Sequence, residues 1–197
     1  MKFYQVSEHD LKIKNPLVVD GADLKGKNEW WYYAQGRPIE EWDESVWFRV
    51  TKRKNEGELQ DILPNHLGLH IYSARLRAML EKNAVNGIQY LPVRIFRYNG
   101  EEVIGYAIAN ILNLLPALDL KESSYGVFPD DDFLPERRGK IRWITNVVFR
   151  RSVVESCDVF RLQEYEVKII VSEKFKNIFD SGCFSGYSFD EVKLVDG

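Results

Sequence analysis

The chain of 197 residues carries only two cysteines, Cys157 and Cys183. They cannot staple a small secreted scaffold, so reduced thiols in a reducing compartment are expected. Excess charge is also scarce. The formal net charge is −3, too small to name a partner and of the wrong sign for a protein that coats nucleic acid. Long apolar runs are missing. The richest, "IGYAIANILNLLPAL" over 104–118, is short and interrupted by Asn110, Asn113 and Pro116, which argues against a membrane span. The opening "MKFYQVSEHD" lacks the apolar stretch of a signal peptide. These absences point to a cytoplasmic protein with no membrane partner.

What is present is an ordinary globular composition, 45% apolar and 29% charged, enough to bury a core and unlike a disordered chain. We expect a single domain over 1–197, with an aromatic-rich part over 1–60. Strand patterns are expected at "MKFYQV", at Val46, Phe48 and Val50, over "IQYLPVRIFRY" and "EEVIGYAIANIL" around an Asn99-Gly100 turn, at "KIRWITNVVFRR", and at the closing "YSFDEVKLV". Residues 119–140, with two Pro, two Gly and three consecutive Asp, read as a long surface loop.

Two stretches are nearly the same sentence. "IYSARLRAMLEKNAVNGIQY" (71–90) and "IVSEKFKNIFDSGCFSGYSF" (170–189) align without a gap at an offset of 99. Ser73 and Ser172 are expected helix N-caps, since a serine hydroxyl can accept from an unpaired first-turn amide. Leu76, Met79, Leu80, Phe175, Ile178 and Phe179 fall at helical spacing and are expected to be core. Gly87 and Gly186 are expected to end the helices as left-handed stops. The fold class is therefore α+β: mostly antiparallel sheet with two similarly built Ser-capped amphipathic helices. An internal duplication and a chance likeness of two strand–helix–strand units both fit the letters.

No stretch carries a catalytic signature. His66 and His70 form H-x-x-x-H, but Gly68 lies between them and His9 is distant, so strand or surface histidines are expected rather than a zinc site. "GCFSG" over 182–186 is not the strand-to-helix G-x-S-x-G of a nucleophile elbow, and Cys183 is expected to be a small packed residue. Asp130, Asp131 and Asp132 lack the spacing of a calcium loop. Arg137, Arg138, Lys140, Arg142, Arg150 and Arg151, with Trp143 among them, form a segment without acids. It could grip a phosphate backbone, but with an acidic balance over the whole chain a charged strand facing water is expected. The expectation is a binding protein: no enzyme, no cofactor, no metal, with a nucleic-acid-binding module using 137–151 as the alternative.

The stretches "IYSARLRAML", "YLPVRI", "YAIANILNLLPALDLKESS", "DVFRLQEYEVKIIVSEKFKNIF" and "SGYSF" together resemble a bacterial family first catalogued as a domain of unknown function and later grouped with the immunity proteins of polymorphic toxin systems. The likeness covers roughly 61–195, with "PLVVDGADLKGK" a looser match upstream. It implies an antitoxin that binds a cognate toxin protein and blocks it one to one. Complementary charge and aromatic anchors suit such an inhibitor. For a toxin with a basic cleft, the candidate partner-binding residues are Asp130, Asp131 and Asp132, and the cluster Glu40, Glu41, Trp42, Asp43 and Glu44.

Overall fold

The computed structural model describes residues 1–8, 13–23, 36–50 and 57–196. His9, Gly26, the aromatic run over 28–35 and most of the polar turn over 51–58 lie outside them. In chain order the strands begin with β1 (Phe3–Ser7), β2 (Val19–Asp23), β3 (Trp47–Val50), β4 (Ile62–Leu63) and β5 (Ile71–Ser73), which leads into helix α1 (Ala74–Lys82). Then follow β6 (Ile88–Pro92), β7 (Arg94–Phe96), β8 (Glu102–Val103), β9 (Tyr106–Ile111), β10 (Leu114–Leu115), β11 (Ser124–Val127), β12 (Ile141–Asn146) and β13 (Val148–Arg150). The remainder is α2 (Arg151–Val154), β14 (Val159–Leu162), β15 (Ile169–Ser172), α3 (Glu173–Ser181), β16 (Ser188–Glu191) and β17 (Lys193–Val195). The fold is α+β with sheet dominant.

The likeness of letters is a likeness of structure. One sheet runs β4-β5-β9-β6 and another runs β10-β14-β15-β1-β16. In the first, Ala107 of β9 sits between Tyr72 and Pro92; in the second, Tyr4 of β1 sits between Val171 and Glu191. All these pairings are antiparallel and in matching register. The central strand that β9 supplies to one unit is supplied to the other by β1, from the far end of the chain.

Both helices begin as expected. Ser73 Oγ accepts from the Leu76 amide and Ser172 Oγ from the Phe175 amide, each at 3.2 Å. Their ends correct the expectation. The helices stop five residues before Gly87 and Gly186, and the left-handed positions are Ala84 (φ 53°) and Cys183 (φ 49°). Each end is a Schellman motif. Ala84 N–H donates to Glu81 O and Val85 N–H to Leu80 O; Cys183 N–H donates to Asp180 O and Phe184 N–H to Phe179 O. Val85 is buried in the same core cluster as Leu80, and Phe184 packs on Phe179, closing each motif with an apolar contact. Gly87 and Gly186 have positive φ too, but as entries to β6 and β16. A Cβ on Gly186 would fall 2.4 Å from Ile62 O. Cys183 is exposed, not packed.

The helices share one core between the two sheets. Leu76, Leu80, Phe175, Ile178 and Phe179 are buried, and Met79 packs partly buried at the edge. Tyr72 and Tyr187 meet inside it, hydroxyl to hydroxyl at 2.9 Å, and Tyr187 OH lies 2.6 Å from His70 Nδ1. Burial pushes both phenols well above their ordinary range. Glu8 Oε1 is 2.9 Å from the same nitrogen, at ion-pair distance without hydrogen-bond alignment. A second core lies under the sheet β2-β3-β7-β8, where Val46, Phe48 and Val50 are buried as their alternation predicts.

Several readings of the sequence change, because β8 and β9, β12 and β13, and β16 and β17 each divide a stretch expected as one strand between different sheets. "IQYLPVRIFRY" is not one strand: β6 and β7 pair in different sheets, on either side of Val93. Residues 119–140 are not all loop, because β11 pairs antiparallel with β12.

Candidate functional site

Among the described residues the ribbon β11–β12 pairs with no other strand. Its sequence lacks clean alternation, and its register shifts twice, between Ser124 and Tyr125 and between Gly126 and Val127. Gly126 is required there: a Cβ would fall 2.4 Å from the Trp143 indole, which lies across the neighbouring strand. The ribbon is closed by Phe128 N–H donating to Lys140 O at 2.9 Å and Gly139 N–H donating to Phe128 O at 3.1 Å. Beyond that closure the tip shapes itself. Asp132 Oδ1 accepts from the Leu134 amide, Asp132 O accepts from Arg138 Nε, and a single 3₁₀ turn spans Pro135–Arg137.

Asp130 and Asp131 are exposed on this tip and Asp132 is half-buried. Arg137 and Arg138 are exposed in and just after that turn, and Lys140 and Arg142 are exposed along the stem. The Arg137 and Arg142 guanidinium groups lie over the Phe128 ring at 5.7 and 5.8 Å, a cation–π arrangement. The rest of the basic segment is committed elsewhere. Arg151 pairs with Asp196 at 2.7 Å, and Arg150 donates to Pro116 O.

The second acidic cluster stands in the loop before β3. Glu40, Glu41, Asp43 and Glu44 are exposed. Asp43 Oδ1 accepts from the Ser45 amide at 2.9 Å and from its hydroxyl at 2.5 Å. Trp42 is tied to the body: its indole N–H donates to Pro92 O at 2.7 Å and its ring packs partly buried on the core under β3. The structure therefore holds the two predicted acidic patches on separate elements. His66 is exposed in a turn, and His70 faces Tyr187 and Glu8.

The family model for immunity proteins, Imm11, matches residues 2–194. The chain belongs to the Imm11 immunity protein family. The match takes in the N-terminal sixty residues as well as the later stretches that carried the resemblance. Among curated proteins none matches the chain. Among the described residues no helix of this immunity protein is long and apolar enough to cross a membrane.

Two features of this Imm11 member escape the sequence. Phe133, on the ribbon tip, is 81% exposed. The signal was there in "DDDFLPE", one aromatic isolated in a polar loop. The other is a cleft of about 570 Å³ at the foot of the ribbon, lined by Leu120, Tyr125, Val127, Lys140, Glu164 and Tyr165 among others. One Glu164 carboxylate oxygen is buried without a hydrogen-bond partner, and burial raises the pKa of that carboxyl. Glu164 is linked to the ribbon only by the fold, so no sequence pattern marks it.

Proposed function

We propose that this immunity protein neutralises a cognate toxin by direct, stoichiometric binding in the cytoplasm, acting by occupation rather than by catalysis. The observation that carries the reading is the family match across 2–194. The exposed carboxylates of Asp130 and Asp131 and of Glu40, Glu41 and Glu44 support it, since unneutralised surface charge speeds encounter with an oppositely charged partner. A large secreted protein with a C-terminal toxin domain is expected to be encoded just upstream, and the test is co-expression with that domain. Growth rescue should accompany a stable one-to-one complex. Rescue with no complex would overturn binding as the mechanism. Salt-sensitive binding of the purified protein to DNA or RNA, in place of toxin binding, would favour the segment over 137–151 as a nucleic-acid site.

A further inference from the structure

We infer that the β11–β12 ribbon is a preformed docking arm with Phe133 as its anchor, and that it fits a protein surface offering an apolar pocket rimmed by bases, with carboxylates alongside. The inference rests on the proposed antitoxin role and names the face and chemistry through which it acts.

Three observations converge on the ribbon. The first is apolar exposure. Of the ten large apolar side chains most exposed among the described residues, four belong to 120–143: Leu120, Val127, Phe133 and Trp143. Scattered exposed hydrophobes mean little, but a concentration on one ribbon and the turn before it marks an interaction surface. The second is preorganisation. A two-stranded ribbon alone is marginal in water, but Ile141 and Ile144 of β12 pack this one on the core that holds Phe149 and Phe160, and its tip is closed by backbone bonds and fixed by Asp132. Little ordering cost remains for binding.

The third is the charge pattern. Asp130, Asp131, Asp132 and Glu136 precede Arg137, Arg138, Lys140 and Arg142. The counts balance, but the signs are separated along the chain. No ion pair among the described residues joins these eight groups. A phosphate backbone or an anionic membrane would be attracted by the bases and repelled by the carboxylates beside them. A protein surface with the reversed pattern satisfies both ends. Phe133, between the carboxylates and the bases, is then the natural residue to bury, since interface energy concentrates in a few desolvated aromatic anchors.

The experiment uses the full chain and a catalytically inactive form of the toxin domain, with binding followed by calorimetry and by association and dissociation rates. Phe133→Ala should raise Kd about thirtyfold or more, mostly through faster dissociation. Its melting temperature should not move, because the ring is 81% exposed. Asp130→Lys with Asp131→Lys should instead slow association and flatten its salt dependence. Arg138→Glu with Lys140→Glu should do the same, and unchanged association in this variant would overturn the carboxylates assigned to the partner surface. Tight binding by wild type with Phe133→Ala within twofold of it would overturn the arm while leaving the antitoxin role intact. Absence of wild-type binding would overturn the antitoxin role itself. Binding of a DNA or RNA duplex that is lost in Arg138→Glu/Lys140→Glu would overturn the protein partner.

Discussion

The two capped helices are built to one plan and furnished differently. Each N-cap serine donates its hydroxyl to an aspartate upstream, Ser73 to Asp61 at 2.7 Å and Ser172 to Asp158 at 2.8 Å. Each aspartate also holds the base two residues after the serine, Arg75 or Lys174. Each base then crosses to the other helix. Arg75 donates to Gly182 O and Cys183 O at the end of α3, and Lys174 donates to Ala84 O beyond the end of α1. A cation at a helix C-terminus is favourable because the final carbonyls lack partners. So each helix start closes its neighbour's end.

The furnishings differ in strength. Arg75 grips Asp61 with two bonds, 2.9 and 2.7 Å, and stacks 4.4 Å over Phe184. Asp61 also accepts from the Ser185 amide and hydroxyl. Lys174 is a point charge with one 2.7 Å contact. The difference teaches that matching backbone register does not fix how much each copy contributes; a planar fork on a buried carboxylate outweighs an ammonium on a wetter one.

The largest effects should come from the facing core positions. Phe175→Ala should cost about 3–5 kcal/mol and its counterpart Leu76→Ala about 2–4 kcal/mol, because both are fully buried and the ring leaves the larger void. Urea unfolding measures both. A larger loss at Leu76 would reverse the ranking of the two units. Next, Asp61→Ala should cost about 3 kcal/mol, stranding Ser73, Arg75 and Ser185. Asp158→Ala should cost about 1–2 kcal/mol. Equal losses would show that the fork adds nothing. Smaller still, Ser73→Ala and Ser172→Ala should each cost about 1 kcal/mol, checked by thermal melts. The smallest changes should be gains. Ala84→Gly and Cys183→Gly relieve left-handed strain and should stabilise by about 0.5 kcal/mol each; a loss at either would mean the side chain contributes more than its strain costs.

Local features were legible in the sequence and distant ones were not. The caps, the helix faces and the Asn99-Gly100 turn follow from residues within a few positions of one another. Asp61 and Asp158 could not be found that way, because each lies 12–16 residues before the groups it binds. The helix ends misled because Gly87 and Gly186 suggest a stop that Ala84 and Cys183 in fact make. β11 was hidden because a solvated ribbon needs no apolar alternation and its two register shifts blur what remains. Of the candidate site, the acidic tip was legible as a loop of charge. Phe133 acquires meaning only once its ring is seen to be exposed, and Trp42 looks free until its bond to Pro92 is known.

The placement of β1 has a consequence for how the molecule is made. The unit holding α1 draws its strands from 62–111, whereas the unit holding α3 needs Phe3–Ser7 to lie between strands at 169–172 and 188–191. Contacts that far apart in sequence form late, since the loop must close before they are rewarded. During synthesis the first strand therefore emerges with no mate and waits while the α1 unit assembles beside it. Pulse-labelled hydrogen exchange during refolding should show β5, β6 and β9 protected before β1, β15 and β16. Simultaneous protection would mean the two halves fold as one cooperative event.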